Sequence, residues 1–203
     1  MVTVLAGTLH LFCASQLRAQ VQIEVKALLG SATYALDGGN ASALTVGTRL
    51  GAGAQIRTGP RSAIDLSLGK EGGLLRLTEK STLNVEHLGA TNNAVQIYLH
   101  LPGGTVLGKA EKLPPGSHYE IKVANGIAGI DAGTQFRCHA DGHQVLLAGT
   151  MIFVHVPAKG EPRPHPMQTP GPVYFAPGEG VRPAPAGLVK EIKAQFKSRL
   201  PVH

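Results

Sequence analysis

Short runs of alternating apolar and polar residues, separated by turn-forming residues, constrain the fold of this chain more than any other feature. In the run SAIDLSL at 62–68, Ile64 and Leu66 share one face. A two-residue period is typical of a strand with one buried face. The Asp141-Gly142 pair between two such runs predicts a tight hairpin. Further runs of this kind lie at 21–25, 31–36, 43–46, 74–78, 82–87, 95–101, 118–123, 134–140, 143–149 and 151–156.

The spacing and composition of these runs limit the fold class. They recur about every 8–12 residues, as the strands of sandwiches and barrels do. No helix-length amphipathic pattern separates them before Pro157, so the crossover helices of parallel βαβ units are missing. The 26 glycines and 14 prolines also disfavour a helical bundle. The sequence therefore predicts an all-β, largely antiparallel β-sandwich or β-roll.

An export signal is predicted at the N-terminus. The apolar stretch 2–14 has the length of the central region of a secretory signal peptide, and Ala19 is a suitable residue before a cleavage site. We therefore expect residues 1–20 to be removed and the chain to function in the periplasm or outside the cell. The alternatives are a buried first strand and an uncleaved anchor. No other apolar run approaches the roughly 20 residues that span a bilayer, so the mature chain is predicted to have no transmembrane segment.

The composition changes after the β domain predicted at 21–156. Nine prolines fall within 157–185, and proline cannot donate a hydrogen bond inside a sheet. The sequence therefore predicts a proline-rich linker or arm over 157–187, with 173–176 as one additional edge strand. Such an arm serves either as a spacer or as a proline-rich ligand for another protein.

One amphipathic helix is predicted at 188–200, where Leu188, Ile192, Phe196 and Leu200 recur every four residues. Basic residues occupy the remaining faces. Three roles are open at this level: packing of the apolar stripe on the β domain, pairing with a partner, or docking on an anionic membrane surface.

The best candidate for chemistry is the segment Cys138-His139-Ala140-Asp141-Gly142-His143, because thiolate, imidazole and carboxylate all bind metals. Successive side chains of a strand point to opposite faces, so Cys138 and His139 diverge. We therefore predict neither a metal site nor a Cys–His catalytic pair. Asp131, an isolated acid among apolar neighbours, is expected to bond the backbone at a turn or bulge. No catalytic, cofactor-binding or metal-binding residue is predicted, and no cofactor.

The remaining composition also disfavours enzymes and nucleic-acid binding. The 13 acidic residues are scattered, and no glycine-rich phosphate loop opens a helix. The formal charge is +6, but the basic residues are dispersed outside 188–200, and stacking aromatics are few. Anionic envelope polymers are a better match for this charge than nucleic acid.

The region from Val21 to Val156 resembles a FecR-type domain, an exported sensor module named after the ferric-citrate transport regulator. The resemblance rests on a glycine-bearing entry with a Thr-Gly turn, on a late Gly-Thr-x-Phe element, and on a closing hairpin. The matching residues are Gly47, Leu50, Gly53, Ile56, Thr58, Gly59, Ser62, Ala63, Leu66, Gly133, Thr134, Phe136 and Gly149.

The resemblance implies an exported, non-catalytic β module. The best-known members also carry a cytoplasmic anti-sigma segment, a membrane helix and a further signalling domain. We do not recognise these in the sequence, and so do not expect direct control of a sigma factor. We predict a non-enzymatic interaction or signalling module of the bacterial cell envelope that binds another envelope protein. The alternative is a binder of an anionic envelope polysaccharide or of peptidoglycan.

Overall fold

The computed structural model describes residues 21–91 and 94–200, which form two stacked β-sheets and a terminal helix. The predicted signal peptide, 1–20, lies outside the described residues. The helices are the single turn α1 (Gly69–Gly72) and α2 (Ala186–Lys197). The strands are β1 (Ile23–Leu29), β2 (Ala32–Leu36), β3 (Ser42–Ala43), β4 (Arg49–Leu50), β5 (Ala54–Thr58), β6 (Ala63–Ser67), β7 (Leu74–Leu77), β8 (Thr82–Thr91), β9 (Ala94–Gly103), β10 (Thr105–Lys109), β11 (His118–Val123), β12 (Gly126–Ile130), β13 (Gln135–His139), β14 (Gln144–Ala148), β15 (Thr150–His155), β16 (Arg163–Gln168), β17 (Val173–Ala176) and β18 (Gly180–Pro183).

The strands divide equally between two nine-stranded sheets. The covered sheet, so named because α2 lies on its outer face, has the order β18-β17-β14-β13-β10-β7-β6-β1-β4. The bare sheet has the order β16-β15-β12-β11-β9-β8-β5-β2-β3. From β6 onward the chain mostly places consecutive hairpins alternately in the two sheets. The predicted all-β sandwich is therefore confirmed.

One parallel pair departs from an otherwise antiparallel pattern. Strand β11 runs parallel to β9, with Tyr119 opposite Ile97, while every other pairing between described strands is antiparallel. A parallel pair requires a crossover connection. Here strand β10 of the opposite sheet makes that crossover, so the sandwich needs no helix at this point.

The core lies between the sheets and is built from the inward residue of each alternating pair. Ile64 and Leu66 of β6 are fully buried, whereas Asp65 between them faces outward. Burying an aliphatic side chain of this size contributes roughly 1.5–3 kcal/mol. In β10, Gly108 stands opposite Phe136, and a Cβ atom at Gly108 would overlap the Phe136 ring. The absence of a side chain there makes room for the Phe136 ring.

Threonines of the motifs that resemble FecR tie neighbouring strands together. The Thr58 hydroxyl donates to the Thr78 carbonyl at 2.5 Å and accepts from the Ser81 N–H at 2.9 Å. The Thr134 hydroxyl, in a side chain that is fully buried, donates to the Thr150 carbonyl at 2.7 Å. These hydroxyls are therefore satisfied inside the fold and serve its structure.

The proline-rich segment is part of the sandwich, which corrects the arm predicted over 157–187. It contributes β16 to the bare sheet and β17 and β18 to the covered sheet. Strand β17 lies inside its sheet, between β14 and β18, rather than at the edge. In β16, Pro164 and Pro166 stand opposite Val154 and Ile152 of β15. Because β16 is an edge strand, both ring nitrogens fit on its open side, where no donor is needed.

Proline and short length also protect the sheet edges. Edge strands β3 and β4 have two residues each, β18 has four and ends at Pro183, and β16 carries Pro164 and Pro166. Unpaired edges of longer strands recruit other chains, and these features are the usual means of preventing it. Addition of a partner strand, one binding mode suggested by an all-β fold, is therefore disfavoured here.

Replacing both Pro164 and Pro166 with threonine is expected to promote self-association. The substitutions restore two N–H donors on the open edge of a six-residue strand. Light scattering should give a larger mass than the unsubstituted protein has at the same concentration. The Pro162→Thr variant, which changes an exposed proline outside the strand, is the control and should not change the mass. An unchanged mass in the double variant would show that the prolines do not guard this edge.

Helix α2 packs its apolar stripe on the outer face of the covered sheet. Ile192 is fully buried against Leu107, Val145 and Leu147, and Phe196 joins this cluster. The predicted amphipathic helix is thus present, with bounds of Ala186–Lys197 rather than 188–200. Of its three predicted roles, packing on the β domain is the one that the structure displays. None of the helices in the described residues combines the length and apolar character needed to cross a membrane.

Arg76 of β7 anchors the end of this helix. Its Nε and Nη2 atoms donate to the Asp65 carboxylate at 2.6 and 2.7 Å. Its Nη1 atom donates to the Gln195 carbonyl, and to the Ser198 hydroxyl at 2.8 Å. The bidentate contact to Asp65 fixes the guanidinium plane, so the remaining N–H groups are held toward the helix end.

Candidate functional site

The Cys-His-Asp-His segment forms the β13–β14 hairpin, and its side chains diverge as the alternation predicts. Cys138 is fully buried in the core, and burial raises the pKa of its thiol well above the ordinary value. His139 lies on the outer face. A buried neutral thiol without an adjacent base is a poor nucleophile. Within the described residues, no three His, Cys, Asp or Glu side chains are placed to hold a metal ion.

Asp141 organises the turn of this hairpin. One carboxylate oxygen lies 2.6 Å from His139 Nδ1 and 2.8 Å from His143 Nδ1, and the same oxygen accepts the His143 N–H at 3.0 Å. Partial burial alone would raise the pKa of Asp141. The hydrogen bonds from the His143 backbone and from both imidazoles outweigh it and hold that pKa below its ordinary value. The cluster therefore closes a turn.

At Asp131 the backbone N–H makes the contact, rather than the side chain that was expected to bond the backbone. Asp131 is exposed just after β12, and its N–H donates to the Thr150 carbonyl at 3.2 Å. It lines neither of the two cavities described below.

A second histidine cluster joins the proline-rich segment to the core, and the sequence did not reveal it. The His165 ring centroid lies 4.7 Å from that of Phe175 and 6.3 Å from that of His155. Burial, followed by the charges of His155 and Arg163, lowers the pKa of His165. At neutral pH this imidazole therefore packs as an uncharged aromatic ring. No local sequence pattern predicts this cluster, because β15 and β16 meet only in the folded chain.

The outer face of the bare sheet carries a polar cleft near β2, β5 and β8, with a volume of about 650 Å³. Gln55 Nε2 donates to Asn84 Oδ1 at 2.9 Å, and Asn84 Nδ2 lies 3.5 Å from His100 Nδ1. Glu86 Oε1 lies 3.7 Å from the same His100 nitrogen. The cleft is lined by Thr33, Tyr34, Ala35, Gly38, Gly39, Ala41, Gly53, Ala54, Gln55, Arg57, Asn84, Val85 and Glu86.

The other end of the same face is apolar. This apolar patch consists of Ile127, Ile152, Val154, Pro164 and Pro166, which pair across β12, β15 and β16. The exposed fractions are 36% for Ile127 and 45% for Ile152. Isolated exposed aliphatic residues are normal, whereas a contiguous group on one sheet face is a candidate interaction site.

A groove of about 630 Å³ runs beside α2. Its walls are apolar, and three lysines, Lys190, Lys193 and Lys197, line it. The apolar stripe of α2, for which docking on a membrane or pairing with a partner was also predicted, packs on the covered sheet. The face that α2 exposes is therefore the lysine face.

Comparison with known proteins gives a fold likeness only. Neither a protein-family model nor a curated protein matches the chain. Two crystal structures of a "putative anti-sigma factor" from Parabacteroides distasonis ATCC 8503 superpose on it with a TM-score of 0.51 at 10% sequence identity. The match covers 71% of this chain and 65% and 64% of those chains. This chain therefore spans less than two thirds of either neighbour, and at this identity the likeness concerns the fold.

Proposed function

We propose that this chain is a FecR-like, non-enzymatic module of the bacterial cell envelope that signals by binding another protein. Two independent lines support the proposal. The ordered glycine and threonine motifs resemble the exported FecR-type sensor domain. The two fold neighbours bear the description "putative anti-sigma factor", which is that of a regulatory protein. A module of this kind needs a recognition surface rather than a reactive site.

The observation that carries this proposal is the apolar patch of the bare sheet. Helix α2 covers the outer face of the opposite sheet, whereas no described element covers the patch. The edges are short or blocked by proline, so a partner has a sheet face to bind but no edge to extend. Lys122 and Arg163 are exposed beside the patch, Lys122 opposite Ile127 and Arg163 at the start of β16. The partner we infer therefore presents an apolar centre with acidic residues around it.

Non-enzymatic action is supported by the arrangement of the reactive residue types. Cys138 is buried, Asp141 closes a turn, and Asp131 is exposed and lines neither the polar cleft nor the groove beside α2. The envelope location is supported by the signal peptide expected at 1–20. Cell fractionation and N-terminal sequencing of the mature protein test that location, and recovery of an uncleaved chain from the cytoplasm would contradict it.

Introducing aspartate at both Ile127 and Ile152 is expected to abolish partner binding. A carboxylate in the centre of an apolar interface loses its hydration without gaining a partner, so affinity should fall at least a hundredfold. A photo-cross-linking residue at position 154 should give one discrete adduct in envelopes. The partner identified from it should then bind the purified protein directly, and both signals should be lost in the double variant.

The control is Leu29→Asp, which adds a charge at an exposed aliphatic residue outside the patch, at the end of β1. It should retain the adduct and the affinity. Adducts that are identical in the double variant and the control, or the absence of any discrete adduct, would overturn the assignment of this patch.

A further inference from the structure

The polar cleft follows β5 and β8 and has opposite charges at its two ends. Arg57 of β5 pairs with Thr82, and Glu86 stands four residues farther along β8. At roughly 3.3 Å per residue, the two charged positions are about 13 Å apart. Gln55 and Asn84 form the cross-strand pair between them. The cleft thus presents a cation, two amides and a carboxylate in one line.

Hydrogen bonds within the sheet hold these groups in place and leave binding capacity unused. The bond from Gln55 Nε2 to Asn84 Oδ1 fixes both amide planes. It does not use the side-chain carbonyl oxygen of Gln55, a residue that lines the cleft. Arg57 is exposed, and it makes no ion pair with any residue in 21–91 or 94–200. Its guanidinium is therefore available to an anion.

The walls of the cleft are formed mainly by residues with small side chains. Gly38, Gly39 and Gly53 form part of the wall, and a Cβ atom at Gly38 would meet nothing within 4 Å. Most other non-polar lining residues are alanines. The cleft therefore lacks the deep apolar pockets that anchor peptide side chains, and it lies on a sheet face, where strand addition is unavailable. Its volume falls in the range of roughly 300–1,000 Å³ typical of small-molecule sites.

These properties match a hydroxyl-rich ligand. A sugar hydroxyl both donates and accepts, so neighbouring hydroxyls can bond a planar amide, a guanidinium or a carboxylate in pairs. The free guanidinium of Arg57 adds a preference for a carboxylate at that end. Glu86 repels a carboxylate at the other end, where it can accept hydrogen bonds from hydroxyl groups. The charge pattern therefore also sets the direction in which a chain would lie.

We propose that the polar cleft binds a sugar chain that carries carboxylate groups, with a carboxylate on Arg57 and hydroxyls on Gln55, Asn84 and Glu86. Uronic-acid polysaccharides and peptidoglycan fragments both offer this chemistry. The site is separate from the apolar patch, so it stands or falls independently of the protein-binding function.

Calorimetric titration with three probes tests the proposal: an oligogalacturonate, a soluble muropeptide and a neutral malto-oligosaccharide of similar length. At least one acidic probe should bind at least tenfold more tightly than the neutral probe. The Arg57→Gln variant should weaken that binding at least tenfold, because a charge-assisted bidentate contact is lost. Asn84→Ala should weaken all sugar binding, and raising the salt concentration should weaken only the acidic probes.

The matched control is Lys122→Gln, which removes the same charge from the same sheet face outside the cleft. It should leave the affinity for each of the three sugar probes unchanged, as should Ile152→Asp in the apolar patch. Binding of only one acidic probe would identify the natural source. Absence of binding to both acidic probes, or equal losses in Arg57→Gln and Lys122→Gln, would overturn the proposal. Equal thermal midpoints of the variants exclude unfolding as the cause.

Discussion

Replacing Phe175 with alanine is expected to lower the free energy of unfolding by about 3–5 kcal/mol. Phe175 is only 1% exposed and lies between the two sheets, with its ring centroid 4.8 Å from that of Phe153. The His165 ring packs on it from β16. Truncation therefore empties a volume bounded by both sheets that neighbouring strands cannot fill. Urea denaturation followed by circular dichroism measures the change.

The measured change distinguishes a proline-rich segment that is folded into the sandwich from the extended arm that its composition predicts. An arm would tolerate the loss of Phe175 at little cost. The control is Val181→Ala in β18, an exposed position of the same segment, which should change stability by no more than about 0.5 kcal/mol. A cost below about 1 kcal/mol for Phe175→Ala would show that the proline-rich segment does not belong to the sandwich.

The strands that could be predicted from the sequence are those whose pattern is local. The run at 62–68 contains β6, and 118–123 coincides with β11, because alternation along a strand directly reflects which face is buried. The proline-rich segment was misread because proline usually signals an interrupted sheet. Its two-residue period, with Pro164 and Pro166 on the open edge and Met167 in the core, is itself a strand pattern. Whether such a segment is an arm or a strand depends on its placement at a sheet edge, and that placement is set by long-range pairing.

The candidate sites depend on long-range pairing even more strongly. Residues adjacent in sequence made the hairpin around Asp141 the best candidate for chemistry, but in the structure the Asp141 carboxylate stabilises a turn. Arg57 and Asn84 are distant in sequence and meet only because β5 pairs with β8 in one register. The neighbouring β8–β9 pairing contains two register shifts, which no local sequence pattern encodes. Composition suggested an anionic polymer as a ligand class, but the cleft proposed to hold it is a product of topology.

Replacing Ile192 with aspartate is expected to release α2 from the covered sheet. Ile192 is fully buried among Leu107, Val145 and Leu147, none of which can pair with a carboxylate. The free-energy cost of burying an unpaired charge exceeds the stabilisation that one short helix gains from its few apolar contacts. The helix therefore undocks instead of distorting the sandwich. Tryptic cleavage within Ala186–Lys197 should accelerate at least tenfold, and the uncovered sheet face should bind the dye ANS.

The matched control is Lys193→Asp, which introduces the same side chain at an exposed position of the helix and should keep cleavage slow. Release of α2 also removes the Gln195 and Ser198 contacts of Arg76, whereas the Asp65 contact remains inside the sheet. The main unfolding transition should therefore fall by less than in Phe175→Ala. Unchanged cleavage in Ile192→Asp would mean that the apolar stripe does not hold the helix. A collapse of the whole fold would mean that the covered sheet cannot stand without it.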